Sequence, residues 1–294
     1  MANNLTTLDL RYNEVQQISS HNSYDNNGPK DNIEVQFDDG VRSFELDLHN
    51  SIEPRNWDVY HDFPPADFVR SLKAGLAKFK ALHDRFPNHE IVTVWLELKN
   101  SWADNGHLPS DLDARIDEDL GHLVFRPTDL VSQAHGAESL REVVKHTGWP
   151  TLEDLRGKFM FVTMGNDPAG KTYLETVGWN GSCFVAPEED VIEKLSPGPG
   201  NEVWLNSVFF NCHNNDGAEA PQMVWHHGLV SRIWRVDDQD EYDFALSSKA
   251  HHIATDHVTH DLFNPRLIDS EGNCFRPFDP GDLLLLSHAE TAGR

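Results

Sequence analysis

Two histidines, one amide and three carboxylates fall in the first third of the chain at positions that could converge. His21 and Asn22 sit in SHNSY, residues 20–24, and Glu45 and Asp47 lie two apart in VRSFELDLH, residues 41–49. His61 follows in VYHD, residues 59–62, and Glu97 and Lys99 close IVTVWLELK, residues 91–99. Three carboxylates and an amide oxygen form an all-oxygen donor set. Hard cations such as Ca2+ or Mg2+ prefer that set, whereas zinc would take more histidine or cysteine. Clustered carboxylates without a cation repel and raise their own pKa values. A bound cation resolves the repulsion, polarises a phosphoryl oxygen and acidifies an attacking hydroxyl. Two histidines then supply proton transfer, one toward the nucleophile and one to the leaving oxygen. That division of labour suits cleavage of a phosphodiester. Each piece alone is weak. A histidine in a Ser/Asn loop is more often a hydrogen-bonded loop residue, ELD on a strand is ordinary, and Glu97 with Lys99 could be an ion pair at a barrel mouth. Their order on successive strands gives them weight together.

The elements that must position these groups read as a barrel. Residues 15–20 (VQQISS) form a first strand, and the polar residues 25–39 form a loop after it. Residues 41–49 alternate, with Phe44, Leu46 and Leu48 on one face and Ser43, Glu45, Asp47 and His49 on the other. In residues 91–99 both faces begin apolar, and one turns charged only toward the C-terminal end, as in a buried barrel strand nearing a polar mouth. Between them, residues 66–86 carry Phe68, Leu72, Leu76, Phe79 and Leu82 at three- and four-residue steps, with Pro87 after the end. That is an amphipathic helix in a βαβ unit. Further strands are expected at 158–164, 183–186, 203–211, 230–236 and 252–256. Helices are expected at 111–122, 137–145, 169–177, near Gln222 and at 241–250. About eight strands alternating with helices imply an α/β fold: a single TIM-type (β/α)8 barrel, regular or distorted, with a short C-terminal extension. The whole chain, 1–294, is expected to be one domain, with the barrel over about 12–260 and the extension over about 261–294, whose LLLL at 283–286 packs against the barrel.

Catalytic groups of such a barrel lie at the C-terminal ends of strands. Lys99 and Arg235, both placed there on a very acidic protein, are the candidate phosphate contacts, each against the plain alternative of pairing with a carboxylate. Asp256 ends the last strand, next to the first in a closed barrel, where it could orient His21 or simply cap the strand. Trp57, Trp95 and Trp234 are pocket candidates, with core packing favoured for Trp95. The pairs His226–His227 and His251–His252 suggest no metal site.

Charge narrows the partners. There are 24 Lys and Arg against 48 Asp and Glu, a net −24 over 294 residues. Such a surface repels nucleic acid and anionic bilayers, so no nucleic-acid partner and at most transient membrane contact are expected. An acidic substrate stays open, because a local cation reverses the field inside a cleft. Cys183, Cys212 and Cys274 match no zinc spacing, and either three thiols or one disulfide and a thiol are open. The first residues have neither a basic n-region nor an apolar h-region, and no apolar run approaches a membrane span. A cytoplasmic protein is expected if this is the native N-terminus, and a secreted one if a leader has been removed.

The runs LRYNEVQQISSHNSYD, GVRSFELDLH, VYHD and VTVWLELK, over about residues 9–99, resemble the phosphatidylinositol-specific phospholipase C-like phosphodiesterase superfamily, within it the calcium-dependent branch. RIWRVDDQDE and HHIATD fit the distal half of the same family. The resemblance implies a TIM-type barrel, catalytic histidines at His21 and His61, and calcium ligands at Asn22, Glu45, Asp47 and Glu97. It implies attack of a neighbouring inositol hydroxyl on phosphorus to give a cyclic phosphate and a free alcohol such as diacylglycerol. By analogy, His61 is the general acid for the leaving alcohol, and His21 stabilises the phosphorane or assists deprotonation. Three other readings remain open. ELD followed by HD also suits glycerophosphodiester phosphodiesterases acting on soluble substrates, although those carry HRG where this chain has His21-Asn22-Ser23. A glycoside-active barrel would use two carboxylates and would not need both histidines. A binding module without activity would have little reason to keep the full set.

Overall fold

In the computed structural model, residues 6–25, 30–61, 68–132, 136–214, 217–258, 273–279 and 281–282 are described. The β-branched and aromatic runs of the sequence form strands β1 (Val15–Ser20), β2 (Ser43–Asn50), β3 (Trp57–Val59), β4 (Val92–Leu98), β5 (Phe159–Met164) and β6 (Cys183–Val185). They continue with β7 (Phe209–His213), β8 (Val230–Trp234), β9 (His252–Thr255) and β10 (Arg276–Pro277). Two five-stranded sheets result, ordered β10-β1-β9-β8-β7 and β3-β2-β4-β5-β6. Among the described residues, eight strands run parallel within them, and β3 and β10 pair antiparallel with β2 and β1 respectively. The helices α1 (Ile33–Asp38), α2 (Leu72–Arg85), α3 (Pro109–Asp119), α4 (Pro127–Val131) and α5 (Leu140–Thr147) lie in the connections of the first half. Those of the second half are α6 (Asp167–Thr176), α7 (Val191–Leu195), α8 (Glu219–His226) and α9 (Gln239–Ser247).

This is a (β/α)8 barrel of the TIM type in a distorted form. The two half-barrels meet at seams without a regular ladder. At the β1/β2 seam the Ser23 amide donates to Glu45 O (3.2 Å), the Glu45 amide donates to Ser23 Oγ (2.7 Å), and Ser43 Oγ donates to Ser19 Oγ (2.8 Å). At the β6/β7 seam the Asn211 amide donates to Pro187 O (3.0 Å). The first seam places SHNSY directly against the ELD strand.

Helix α2 starts where Ser71 accepts from the Ala74 amide, and it buries Leu72, Leu76, Phe79 and Leu82. Each such side chain contributes roughly 1.5–3 kcal/mol of burial, an upper bound because denatured chains are partly compact. Inside the barrel floor, Tyr12, Trp95, Phe209 and His252 pack ring to ring. The His252 ring is fixed at both nitrogens, by Ser43 Oγ (2.9 Å) and Tyr12 OH (3.0 Å). Burial pushes its pKa well below the usual histidine range. The floor is therefore filled and neutral, and the open volume lies at the other end.

Several expectations are corrected. Residues 203–211 are not one strand: a 3-10 turn, Glu202–Asn206, precedes β7, because VWLN packs Trp204 inward instead of alternating. The polar stretch after β1 contains helix α1, nucleated by Asn32 accepting from the Val35 amide. The hairpin strand β3 and the edge strand β10 went unseen because two or three residues carry no period. Residues 283–286 of the tail and Asp62 of VYHD lie outside the described residues. Cys183, Cys212 and Cys274 are buried, and none of them is in a disulfide.

Candidate active site and metal centre

The parallel register of β2 and β4 builds the acidic cluster. Glu45 and Asp47 point to the barrel interior on β2, and the Cα partners of Glu45 and Asp47 on β4 are Trp95 and Glu97. One carboxylate oxygen from each of Glu45, Asp47 and Glu97 lies within 4.8 Å of the others. Glu45 and Asp47 are buried. Gly165, just past β5 with φ +81°, leaves room for Glu97: a Cβ there would stand 2.3 Å from Glu97 Cγ.

Two cations face these acids. The Arg232 guanidinium, buried on β8, donates to Glu45 Oε2 and to Asn211 Oδ1 (2.8 Å). Lys99 Nζ lies 3.0 Å from Asp47 Oδ2 and 2.5 Å from Glu97 Oε1. Burial alone would raise Asp47, but its bond with His61 and the charge of Lys99 outweigh it and hold the carboxyl at about 2. Burial and the charges of Asp47 and Glu45 push Glu97 up to about 8. Burial works against the Lys99 ammonium, yet Asp47 and Glu97 push it to about 12.

Asn22 is buried in the turn that follows β1. It adopts a left-handed conformation, φ +47°, which Asn tolerates better than most residues. The Tyr24 hydroxyl donates to its Oδ1 (2.9 Å), and burial with the charges of Asp47 and Glu45 pushes that phenol far above its usual range.

The residues fit a hard divalent cation. The donors are all oxygen, three of them ionisable, and Asp47 Oδ1 is buried without a hydrogen-bond partner among the described residues. An acceptor-only oxygen left so is costly unless a cation meets it.

The two histidines flank the cluster, each held by a carboxylate at Nδ1. His21 follows β1; its amide donates to Thr255 O (3.0 Å) and its Nδ1 lies 3.2 Å from Asp256 Oδ1. Its ring stacks on Trp234 with centroids 5.9 Å apart. Lys30 Nζ donates to Asp256 Oδ1 (2.5 Å) and to His21 O (2.9 Å), tying the loop before α1 to both. Burial would raise Asp256, but His21 and Lys30 hold it well below the usual carboxylate range. His61 follows β3, and its Nδ1 lies 3.1 Å from Asp47 Oδ2. Its side chain is half exposed, against 13% for His21.

One pocket of about 420 Å³ gathers His21, Glu45, His61, Glu97, Lys99, Arg235 and Asp256, with Arg232, Asn211, Glu188, Met164, Trp234 and Asp237 completing its wall. Seven of the nine site residues expected from sequence thus line it, while Asn22 and Asp47 are buried and outside its lining. Lys99 pairs with carboxylates here, the plain alternative to a phosphate contact. Arg235, exposed and at φ +61°, has no carboxylate partner among the described residues. Trp57 is buried, its Nε1 donating to Asn50 Oδ1 (3.0 Å), so of the three tryptophans only Trp234 reaches the pocket.

Sequence reasoning missed Arg232, Lys30, Asn211 and Tyr24. Arg232 was the most accessible of these. In VSRIW it shares the period-2 face of Val230 and Trp234, so a charge stands on the inward side of a barrel strand and must find an acid there.

Known proteins resemble this chain in part of its sequence and in its fold. Residues 61–179 match the family model described as "Phosphoinositide phospholipase C, Ca2+-dependent". The fold is similar to that of a calcium-dependent phosphoinositol-specific phospholipase C from a Gram-negative bacterium, Pseudomonas sp. That match has a TM-score of 0.79 and 22% identity, covering 92% of this chain and 96% of the other. A Ca2+-dependent phosphatidylinositol-specific phospholipase C from Streptomyces antibioticus matches with a TM-score of 0.69 and 20% identity, over 84% and 94% of the two chains. No curated protein matches in sequence. The resemblance to the calcium-dependent branch drawn from the sequence is borne out.

Proposed function

We propose that this chain, similar to the calcium-dependent phosphoinositide phospholipases C in fold and in its residues 61–179, is a calcium-dependent phosphodiesterase of that kind. It cleaves a phosphatidylinositol-type phosphodiester by attack of the neighbouring ring hydroxyl, giving a cyclic phosphate and a free alcohol, diacylglycerol for the lipid. The observation that carries this reading is one pocket, walled by Glu45 and Glu97 of a three-carboxylate oxygen cluster and by two histidines, each anchored at Nδ1 by an acid.

Glu45, Asp47, Glu97 and Asn22 are the residues to hold Ca2+. When bound there, the cation lowers the pKa of the attacking hydroxyl and offsets charge on the phosphoryl oxygens. Everything else falls to the protein. Asp256, itself held by Lys30, orients His21 so that Nε2 serves the attacking side and stabilises the imidazolium that forms. His61, fixed by Asp47 through Nδ1, delivers a proton from Nε2 to the leaving alkoxide. Arg235, exposed on the rim, contributes charge toward the phosphate. Arg232 holds Glu45 in place through a buried hydrogen bond.

Among the described residues no helix is long and apolar enough to cross a membrane. Chelation is the test of the metal requirement. Turnover of phosphatidylinositol stops on calcium removal and returns on re-addition; turnover that survives chelation contradicts the reading.

A further inference from the structure

Lys99 occupies two of the carboxylates assigned to the metal. Its Nζ lies 3.0 Å from Asp47 Oδ2 and 2.5 Å from Glu97 Oε1. The cluster's other cation, Arg232, differs from it in freedom. Arg232 is 1% exposed, bonds Glu45 and Asn211, and lies over the Trp95 ring at 5.5 Å. It is built in. Lys99 has a flexible four-carbon stem, 22% side-chain exposure, and a place on the pocket wall beside His61.

We propose that Lys99 is a displaceable counter-cation. It holds Asp47 and Glu97 together before a divalent metal binds, competes with that metal for the same oxygens, and turns to the substrate phosphate once the metal holds them. This rests on the metal-dependent reading above and adds a link between metal binding and the phosphate contact.

Charge balance supports the exchange. Once all three carboxylates are ionised, as they are when they hold a cation, one guanidinium and one ammonium against them leave a single negative charge. A divalent cation added with Lys99 in place would overshoot neutrality and set two cations on the same oxygens, a like-charge contact. With Lys99 withdrawn, the three acids, Arg232 and the divalent cation are neutral together. Lys99 then carries one positive charge toward a phosphodiester that bears one negative charge. Asp47 Oδ1, buried and unpaired beside the bonded Oδ2, is a ready first contact for an incoming cation. A lysine that instead served as a permanent brace of the metal site would give the opposite response to its removal.

The test is direct calcium binding, read without turnover. Ca2+ is titrated calorimetrically into the wild type, Lys99→Met and Lys99→Gln. Both variants bind Ca2+ more tightly, by about ten-fold, the order expected for removing one like charge from a partly buried cation site. A second measurement needs no variant. In the wild type, acylation of Lys99 followed by mass spectrometry speeds up several-fold on adding Ca2+, while other lysines are unaffected. Calcium binding that is equal or weaker in the variants, or Lys99 acylation that is unchanged or slowed by Ca2+, overturns the proposal and leaves the metal-dependent function standing. Absence of calcium binding in the wild type overturns both.

Discussion

His61 Nδ1 stands 3.1 Å from Asp47 Oδ2, so one carboxylate both orients a histidine and belongs to the acidic cluster. In the proposed mechanism, proton transfer and metal binding are therefore built on a shared residue.

His61 as general acid makes a leaving-group prediction. His61→Ala loses roughly 10²–10⁴-fold in turnover on a substrate with an alkyl alcohol leaving group. The loss shrinks sharply when the leaving group is a nitrophenol-type alcohol that departs without protonation. Equal losses on both substrates, measured as kcat, exclude the role. His21→Ala, which acts on the attacking side, loses activity to a similar degree on both.

The Glu45–Arg232 pair predicts a stability effect separate from activity. Both side chains are 1% exposed, so removing either leaves a buried, uncompensated charge. Glu45→Ala and Arg232→Met each destabilise by about 3–5 kcal/mol in urea denaturation, and the double variant costs less than the two added together. Additive losses would mean that the two groups do not interact.

Gly165 shapes the proposed metal site by its close approach to Glu97. Its φ of +81° and its approach to Glu97 leave no space for a methyl group. Gly165→Ala displaces Glu97 and weakens calcium affinity by an order of magnitude or more, while far-UV circular dichroism stays native. Unchanged calcium affinity in a folded variant would remove Glu97 from the ligand set.

Asp256 ties stability to acid pH. Its folded pKa lies below the ordinary carboxylate value, held there by His21 and Lys30 against burial. A depressed folded pKa adds stability that is present above the unfolded value, about 3.9, and is lost as pH falls through the folded pKa. Asp256→Asn is therefore less stable than the wild type at pH 7. The gap narrows as pH drops below about 4, as urea midpoints at several pH values will show. A gap that stays constant into acid would place the effect elsewhere.

The barrel and most of its site were legible in the sequence because both rest on period-2 strands. In residues 41–49 and 91–99 the alternation puts Glu45, Asp47 and Glu97 on one inward face, and the structure pairs Asp47 with Glu97 in register. What stayed hidden depends on partners distant in sequence. Lys30 lies in a stretch with no period, yet it meets Asp256 from 226 residues away. Arg232 meets Glu45 across 187 residues. Lys99 showed its charge in the sequence but not its direction, since a lysine at a strand end reaches a substrate or two neighbouring acids equally well. Short elements such as β3 and α1 are set by a cap or a hairpin, not by a repeating pattern.

The most direct measurement of the central claim is a ³¹P NMR spectrum of the products formed from phosphatidylinositol with Ca2+ and with chelator. A cyclic inositol phosphate resonance is expected only with Ca2+, and it is lost in His21→Ala and His61→Ala. A glycerol phosphate product, or a cyclic phosphate formed equally well under chelation, would contradict that claim.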